Sequence, residues 1–188
     1  NGRTICLRNI DVKKIFELID KHKVTHFGGA PIVLNMITGA ADTDRKKLNQ
    51  KVHVLTAGAP PPSIIFKKMS ELGFEVMHVY GLTETYGHVT QCAWNDAWNE
   101  FDEEKQNEIK ARQGVRYPNT EGIAVMNPET MKEVPRDGKT IGEIMIKGNV
   151  VMKGYFKDKE ATSKAMDGGW FHSGDPVSYT HLRAHETV

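Results

Sequence analysis

The chain has 188 residues, 39% hydrophobic and 26% charged, with 25 Lys plus Arg against 24 Asp plus Glu. That composition excludes a disordered chain, and a net charge of +1 removes the electrostatic case for a nucleic-acid or anionic-membrane partner. No apolar run approaches the roughly 18 residues that a membrane-spanning helix needs. The two cysteines, Cys6 and Cys92, lack CxxC spacing, which argues against zinc and disulfide frameworks and for a reducing compartment, read as the cytoplasm. The first residue is Asn1, with no initiator Met and no signal-peptide pattern, so the chain is expected to begin within a longer coding sequence.

In chain order, Asp11 is placed to cap a helix over Val12–His22, whose apolar positions Val12, Ile15, Phe16 and Ile19 keep helical spacing, with Leu18 widening the stripe. A short strand, Val24–Phe27, is expected to run into Gly28-Gly29, and Pro31 suits the first turn of a helix over residues 31–40. Residues 41–51 read as a polar loop. Val52–Thr56 reads as a strand ending in Ala57-Gly58-Ala59 and stiffened by Pro60-Pro61-Pro62. Ile65, Met69 and Leu72 mark the next helix, with Gly73 as its stop, and residues 74–79 read as a strand broken by Tyr80-Gly81. This alternation of helices with short apolar strands predicts an α/β fold, part of a doubly wound sheet, over residues 1–115. Ligands on such sheets bind at loops leaving the carboxyl ends of strands. Here those loops are Gly28-Gly29, residues 57–60 and Tyr80–Glu84.

The second part changes character. Residues 102–112 read as a charged helix. Residues 122–127, 142–147 and 150–155 then read as strands, with turns at Asn127-Pro128 and Asp137-Gly138. A small β-rich subdomain, a barrel or an open sheet, is therefore expected over residues 116–175. The tail, residues 176–188, has no amphipathic period and is expected to be non-native in origin and loosely attached. Its His181 and His185 sit four apart, without a third ligand or a supporting carboxylate to make a metal site.

Three segments carry candidate chemistry. In Tyr80-Gly81-Leu82-Thr83-Glu84, a glycine turns the backbone and a hydroxyl precedes a carboxylate. This is compatible with Thr83 on a phosphate oxygen and Glu84 on magnesium, although the residue types alone favour a tight turn with a helix-capping Thr83. Gly58-Ala59-Pro60 lets a flat ring approach the backbone, or simply makes a turn. Ser173-Gly174-Asp175 exposes a carboxylate that can accept two ribose hydroxyls, or belongs to a β-turn.

Taken together and in this order, with Gly142-Glu143-Ile144-Met145-Ile146-Lys147-Gly148 and Gly154-Tyr155 between them, these segments resemble the adenylate-forming superfamily of acyl-CoA synthetases, adenylation domains and luciferases. Residues 24–36, 80–98 and Arg112-Gln113-Gly114 resemble the acyl-activating enzymes of bacteria and plants, known as short- or medium-chain fatty-acid, or benzoate, CoA ligases. The resemblance implies ATP (leaving as AMP), magnesium and coenzyme A as cofactors, and a small-molecule carboxylic acid as substrate. It assigns Gly58, Ala59 and Pro60 to the border of the adenine, with Tyr80 stacking on it, and His78 to the adenine edge or the acyl pocket. Thr83 takes the α-phosphate, Glu84 the magnesium and Asp175 the ribose. Gly28, Gly29 and Ala30 fall where the family lines its acyl pocket.

Other family parts are missing from the sequence. The Gly-rich phosphate loop is expected upstream of Asn1, and the lysine-bearing mobile domain after Asp175. The implied parent is an acid–thiol ligase, of which this chain alone is expected to be inactive. Two alternatives stand beside it: a non-catalytic nucleotide-binding module, and an adenylation domain that loads a carrier protein.

Overall fold

The computed structural model describes residues 2–58 and 61–179. Two compact units form. One holds the chain up to His78 together with Trp94–Ala111, and the other holds Val79–Ala93 together with the chain from Arg112 onward. The division falls within a strand and recurs, in contrast to the single boundary expected near residue 115.

The first unit is a helix-covered parallel layer. Helix α1, Val12–His22, starts where the Asp11 carboxylate accepts the Lys14 N–H at 2.7 Å, and it buries Phe16 and Ile19. Strand β1, His26–Gly28, begins two residues later than its apolar run implied. Helix α2, Pro31–Gly39, strand β2, Val52–Thr56, helix α3, Ser63–Glu71, and strand β3, Phe74–Leu82, follow. β1 pairs parallel with β2, and β2 with β3.

Along β2, Val52, Val54 and Thr56 are buried while His53 and Leu55 are exposed, so one face of the layer carries the core. That core joins Phe16, Ile19, Leu34, Ile37, Val54 and Met69 with their neighbours. Each such buried aliphatic side chain contributes about 1.5–3 kcal/mol through removal from water. Helix α4, Glu103–Lys110, is capped by Asp102 and also belongs to this unit, against α3.

The second unit is antiparallel. The end of β3 pairs with β4, Gly87–Gln91, which pairs with β5, Val115–Arg116. A separate open sheet has the order β7-β6-β8-β9. Its strands are β6, Gly122–Asn127, β7, Lys132–Glu133, β8, Gly142–Lys147, and β9, Phe171–Val177. Helix α5, Lys159–Ala165, precedes β9. The α/β class therefore holds, with a mixed sheet followed by an antiparallel one.

Three expectations need correction. Residues 150–155 form no strand, because their amide donors go elsewhere: Met152 N–H to the Glu84 carbonyl at 2.7 Å, and Tyr155 N–H to Thr162 Oγ1 at 2.9 Å. β3 does not break at Tyr80. It runs on to Leu82, because β4 supplies a partner that local propensity could not reveal. The tail is not loose along its first residues: Pro176 and Val177 pair with Glu143 and Gly142, and Tyr179 is buried with Val125 and Val134. His181 and His185 lie outside the described residues.

Candidate nucleotide site

In the first unit, the two glycine-bearing strand exits are neighbours. Gly28 pairs with Leu55, and the Gly29 N–H donates to the Leu55 carbonyl at 3.0 Å. This brings the β1 exit beside the end of β2. There Gly58 sits at φ 101°, in the left-handed region that favours glycine, and a Cβ on it would face the ring of Pro31. Ala59 and Pro60 lie outside the described residues. An apolar cleft of about 910 Å³ reaches Gly28, Gly29 and Ala30 past Ile15 and Ile10.

His78 does not present itself to a ligand. It is fully buried on β3, with Nδ1 3.1 Å from the carbonyl of Ala111, the residue that closes α4. Strand alternation turned it inward, a direction its sequence position left open.

The polar chemistry gathers in the second unit, where two irregular pairings shape the backbone. On β4, Val89 is the extra residue between the pairs Tyr80↔Thr90 and Gly81↔His88. On β9, Ser173, Gly174 and Asp175 stand opposite Ile144 alone, between the pairs Met145↔His172 and Glu143↔Pro176. Bulges of this kind re-aim side chains and are frequent beside active sites.

The Tyr80 hydroxyl donates to Asp175 Oδ2 at 2.6 Å, joining residues 95 positions apart. Tyr80 is 7% exposed, in a cluster with Val89, Ile144, Ile146 and Phe171, so its ring is not an open stacking platform here. Burial first, and then the hydrogen bond to Asp175, push its hydroxyl well above the ordinary phenol range. The hydroxyl therefore stays protonated and donates to Asp175.

Beyond Leu82 the chain makes a 3-10 turn, Thr83–Thr85. Buried Thr85 holds it: its Oγ1 accepts the Leu82 N–H at 2.9 Å and faces the Gly87 carbonyl at 2.8 Å. Gly81 is required beneath the turn, since a Cβ there would collide with the Gly87 carbonyl. Thr83 is left exposed and Glu84 half-buried. Glu84 Oε1 accepts from the Tyr155 hydroxyl at 3.2 Å, and its main-chain carbonyl accepts from Met152. Among the described residues, no group of three or more His, Cys, Asp or Glu is placed to hold a metal.

The Asp175 bulge has its own supports. Ser173 Oγ donates to the Ile144 carbonyl at 2.6 Å and lies 3.1 Å from the Asp175 N–H, which donates to it. Glu143 accepts the Gly174 N–H at 2.7 Å and faces His172 Nδ1 at 3.1 Å. In the sequence, Glu143 and Tyr155 stand within motifs that assign neither a role. Only tertiary contact shows which backbone and side-chain groups they meet.

A family model described as AMP-binding enzyme matches residues 1–156. A peroxisomal acetate/butyrate–CoA ligase of Arabidopsis thaliana is 51% identical over 190 residues, covering 97% of this chain and 33% of its own length. An acetate–CoA ligase of Humulus lupulus is 51% identical over 176 residues, covering 93% and 31%. The chain thus spans about a third of the length of these curated relatives. Among solved structures, the N-terminal domain of FACL13 from Mycobacterium tuberculosis superposes with a TM-score of 0.71 at 26% identity, over 90% of this chain and 40% of that one.

Proposed function

The chain belongs to the AMP-binding enzyme family, and from that membership we propose that a protein carrying it is an ATP-dependent acid–thiol ligase. A carboxylate attacks the α-phosphorus of ATP, giving acyl-AMP and pyrophosphate. The thiol of coenzyme A then displaces AMP, giving acyl-CoA. Coenzyme A as acceptor, in preference to a carrier protein, is supported by relatives named as CoA ligases at 51% identity. Their names, acetate and butyrate, also favour the short end of a substrate range that the sequence resemblance extends to medium-chain and aromatic acids.

The observation that carries the site is the Tyr80–Asp175 hydrogen bond, which joins two segments assigned separately to the nucleotide. In this reading Asp175 accepts from the ribose hydroxyls, its Oδ2 held by Tyr80. The exposed Thr83 hydroxyl donates to an α-phosphate oxygen. Gly58, Ala59 and Pro60 border the adenine. Gly28, Gly29 and Ala30 line the acyl pocket, a placement supported by the apolar cleft that reaches them.

Magnesium prefers hard oxygen ligands, keeps several waters and is commonly held by one or two carboxylates together with substrate phosphates. Glu84, a single carboxylate on a half-exposed turn, fits an ion that arrives with the nucleotide. When bound, magnesium neutralises charge at the phosphates. Glu84 would contribute by holding that ion, not by taking a proton. The proposed compartment is a reducing one, cytoplasm or peroxisome, supported by two cysteines, Cys6 and Cys92, far apart and without CxxC spacing. No helix among the described residues is long and apolar enough to cross a membrane.

Exchange of labelled pyrophosphate into ATP by a protein of the relatives' length, across a panel of acids, tests the assignment. Exchange is expected only with a fatty or aryl acid present. Activity with amino acids alone would refute it.

A further inference from the structure

We propose that Glu143 is a positioning residue for Asp175, an inference that rests on reading Asp175 as the ribose-binding carboxylate. The Glu143 side chain is only 15% exposed, and its two oxygens divide their work: Oε1 takes the Gly174 N–H at 2.7 Å, and Oε2 faces His172 Nδ1 at 3.1 Å. An ion pair with His172 would need only one of those oxygens. The other reaches across the strand pair to the middle residue of the bulge, which sits at φ 77°. His172 is itself held from behind, with Nε2 3.3 Å from the Asp167 carbonyl.

A carboxylate on a backbone N–H is a strong, charge-assisted hydrogen bond. Here it satisfies the Gly174 N–H, which the internal Ser173 contacts do not reach. With Gly174 fixed from Glu143 and Asp175 N–H fixed from Ser173, the Asp175 side chain is aimed where the Tyr80 hydroxyl meets it. Without Glu143, the Gly174 N–H can turn to water, since Gly174 is exposed, and the bulge gains backbone freedom at the residue before the functional carboxylate.

Amide hydrogen exchange on the 188-residue chain tests the contact without ligand. In Glu143→Ala, exchange at Gly174 and Asp175 is expected to accelerate about tenfold or more, with the β6 and β8 core amides unchanged. Glu143→Gln should restore most of the protection, because its oxygen can keep Gly174 while its NH2 donates to His172 Nδ1. Titration with AMP and with 2′,3′-dideoxy-AMP then tests the consequence. Glu143→Ala should weaken AMP about tenfold, leave the dideoxy nucleotide nearly unaffected and be rescued by glutamine.

Unchanged exchange at Gly174 overturns the proposal whatever the nucleotides do. Loss of protection across β6 and β8, or equal weakening of both nucleotides, makes Glu143 merely structural and overturns it too. If the wild-type chain does not prefer AMP to the dideoxy nucleotide while exchange responds as expected, the ribose reading of Asp175 fails and the Glu143–Gly174 contact stands.

Discussion

In the first unit, apolar period and helix caps account for the architecture: β2 alternates buried and exposed residues, and Phe16 and Ile19 face the same core as Leu34 and Ile37. In the second unit, polar side chains hold irregular backbone in place. Asn127 Oδ1 accepts from Glu129 and Thr130 N–H, Asp137 Oδ1 from Lys139 and Thr140 N–H, and Glu143 from Gly174 N–H. The contrast teaches where function can reside. A regular layer offers glycine exits at strand ends, whereas a bulged antiparallel region can aim individual charged groups such as Glu84 and Asp175.

The comparison predicts that the first unit is vulnerable to lost volume. Leu34 has no exposed surface, so Leu34→Ala should lower stability by about 3 kcal/mol, through lost transfer energy and the cavity left behind. Denaturant unfolding would show it, and a change under about 1 kcal/mol would mean that this core is not tightly packed.

The second unit should instead be vulnerable to lost charge. In a protein of the relatives' length, Glu84→Gln is expected to slow adenylation roughly a hundredfold, equivalent to about 2.7 kcal/mol, while leaving the affinity for preformed acyl-AMP nearly intact. Acyl-AMP has already lost pyrophosphate and the metal with it. Asp175→Ala, by contrast, should weaken ATP and acyl-AMP alike, because the ribose is common to both. Half-reaction rates and acyl-AMP affinity separate the two. If Glu84→Gln weakens acyl-AMP as much as it slows adenylation, Glu84 is a structural element of the Thr83–Thr85 turn.

The smallest expected effect lies in the Asp137 turn. Hydrogen bonds from Thr140, backbone first and hydroxyl second, and then from the Lys139 N–H, hold the Asp137 carboxyl down at about 2, against an ordinary value of 3.8. Because the folded value is depressed, its contribution is complete above the ordinary value and fades as pH falls toward about 2. The stability gap between wild type and Asp137→Asn should therefore be constant near neutrality and close across that acidic window. A gap that persists below it would assign the effect to turn geometry alone.

Much of the first unit was legible in the sequence. The bounds of α1 and β2 follow from Asp11 and from the apolar spacing, because caps and periodicity are local properties that a few neighbouring residues determine. The bounds of β6 and β8 were legible for the same reason. The motifs around Tyr80–Glu84 and Ser173–Asp175 also stood out, as residue types in an order that resembles a known family. What the sequence could not determine depends on partners distant along the chain. β4 extends β3 past Tyr80, and residues 150–155 give their amides to Glu84 and Thr162 in place of a sheet. His78 turns into the interior, and Tyr80 reaches Asp175. A hydrogen-bonding group is satisfied by whichever partner folding brings near, and only the tertiary structure decided which partners those were.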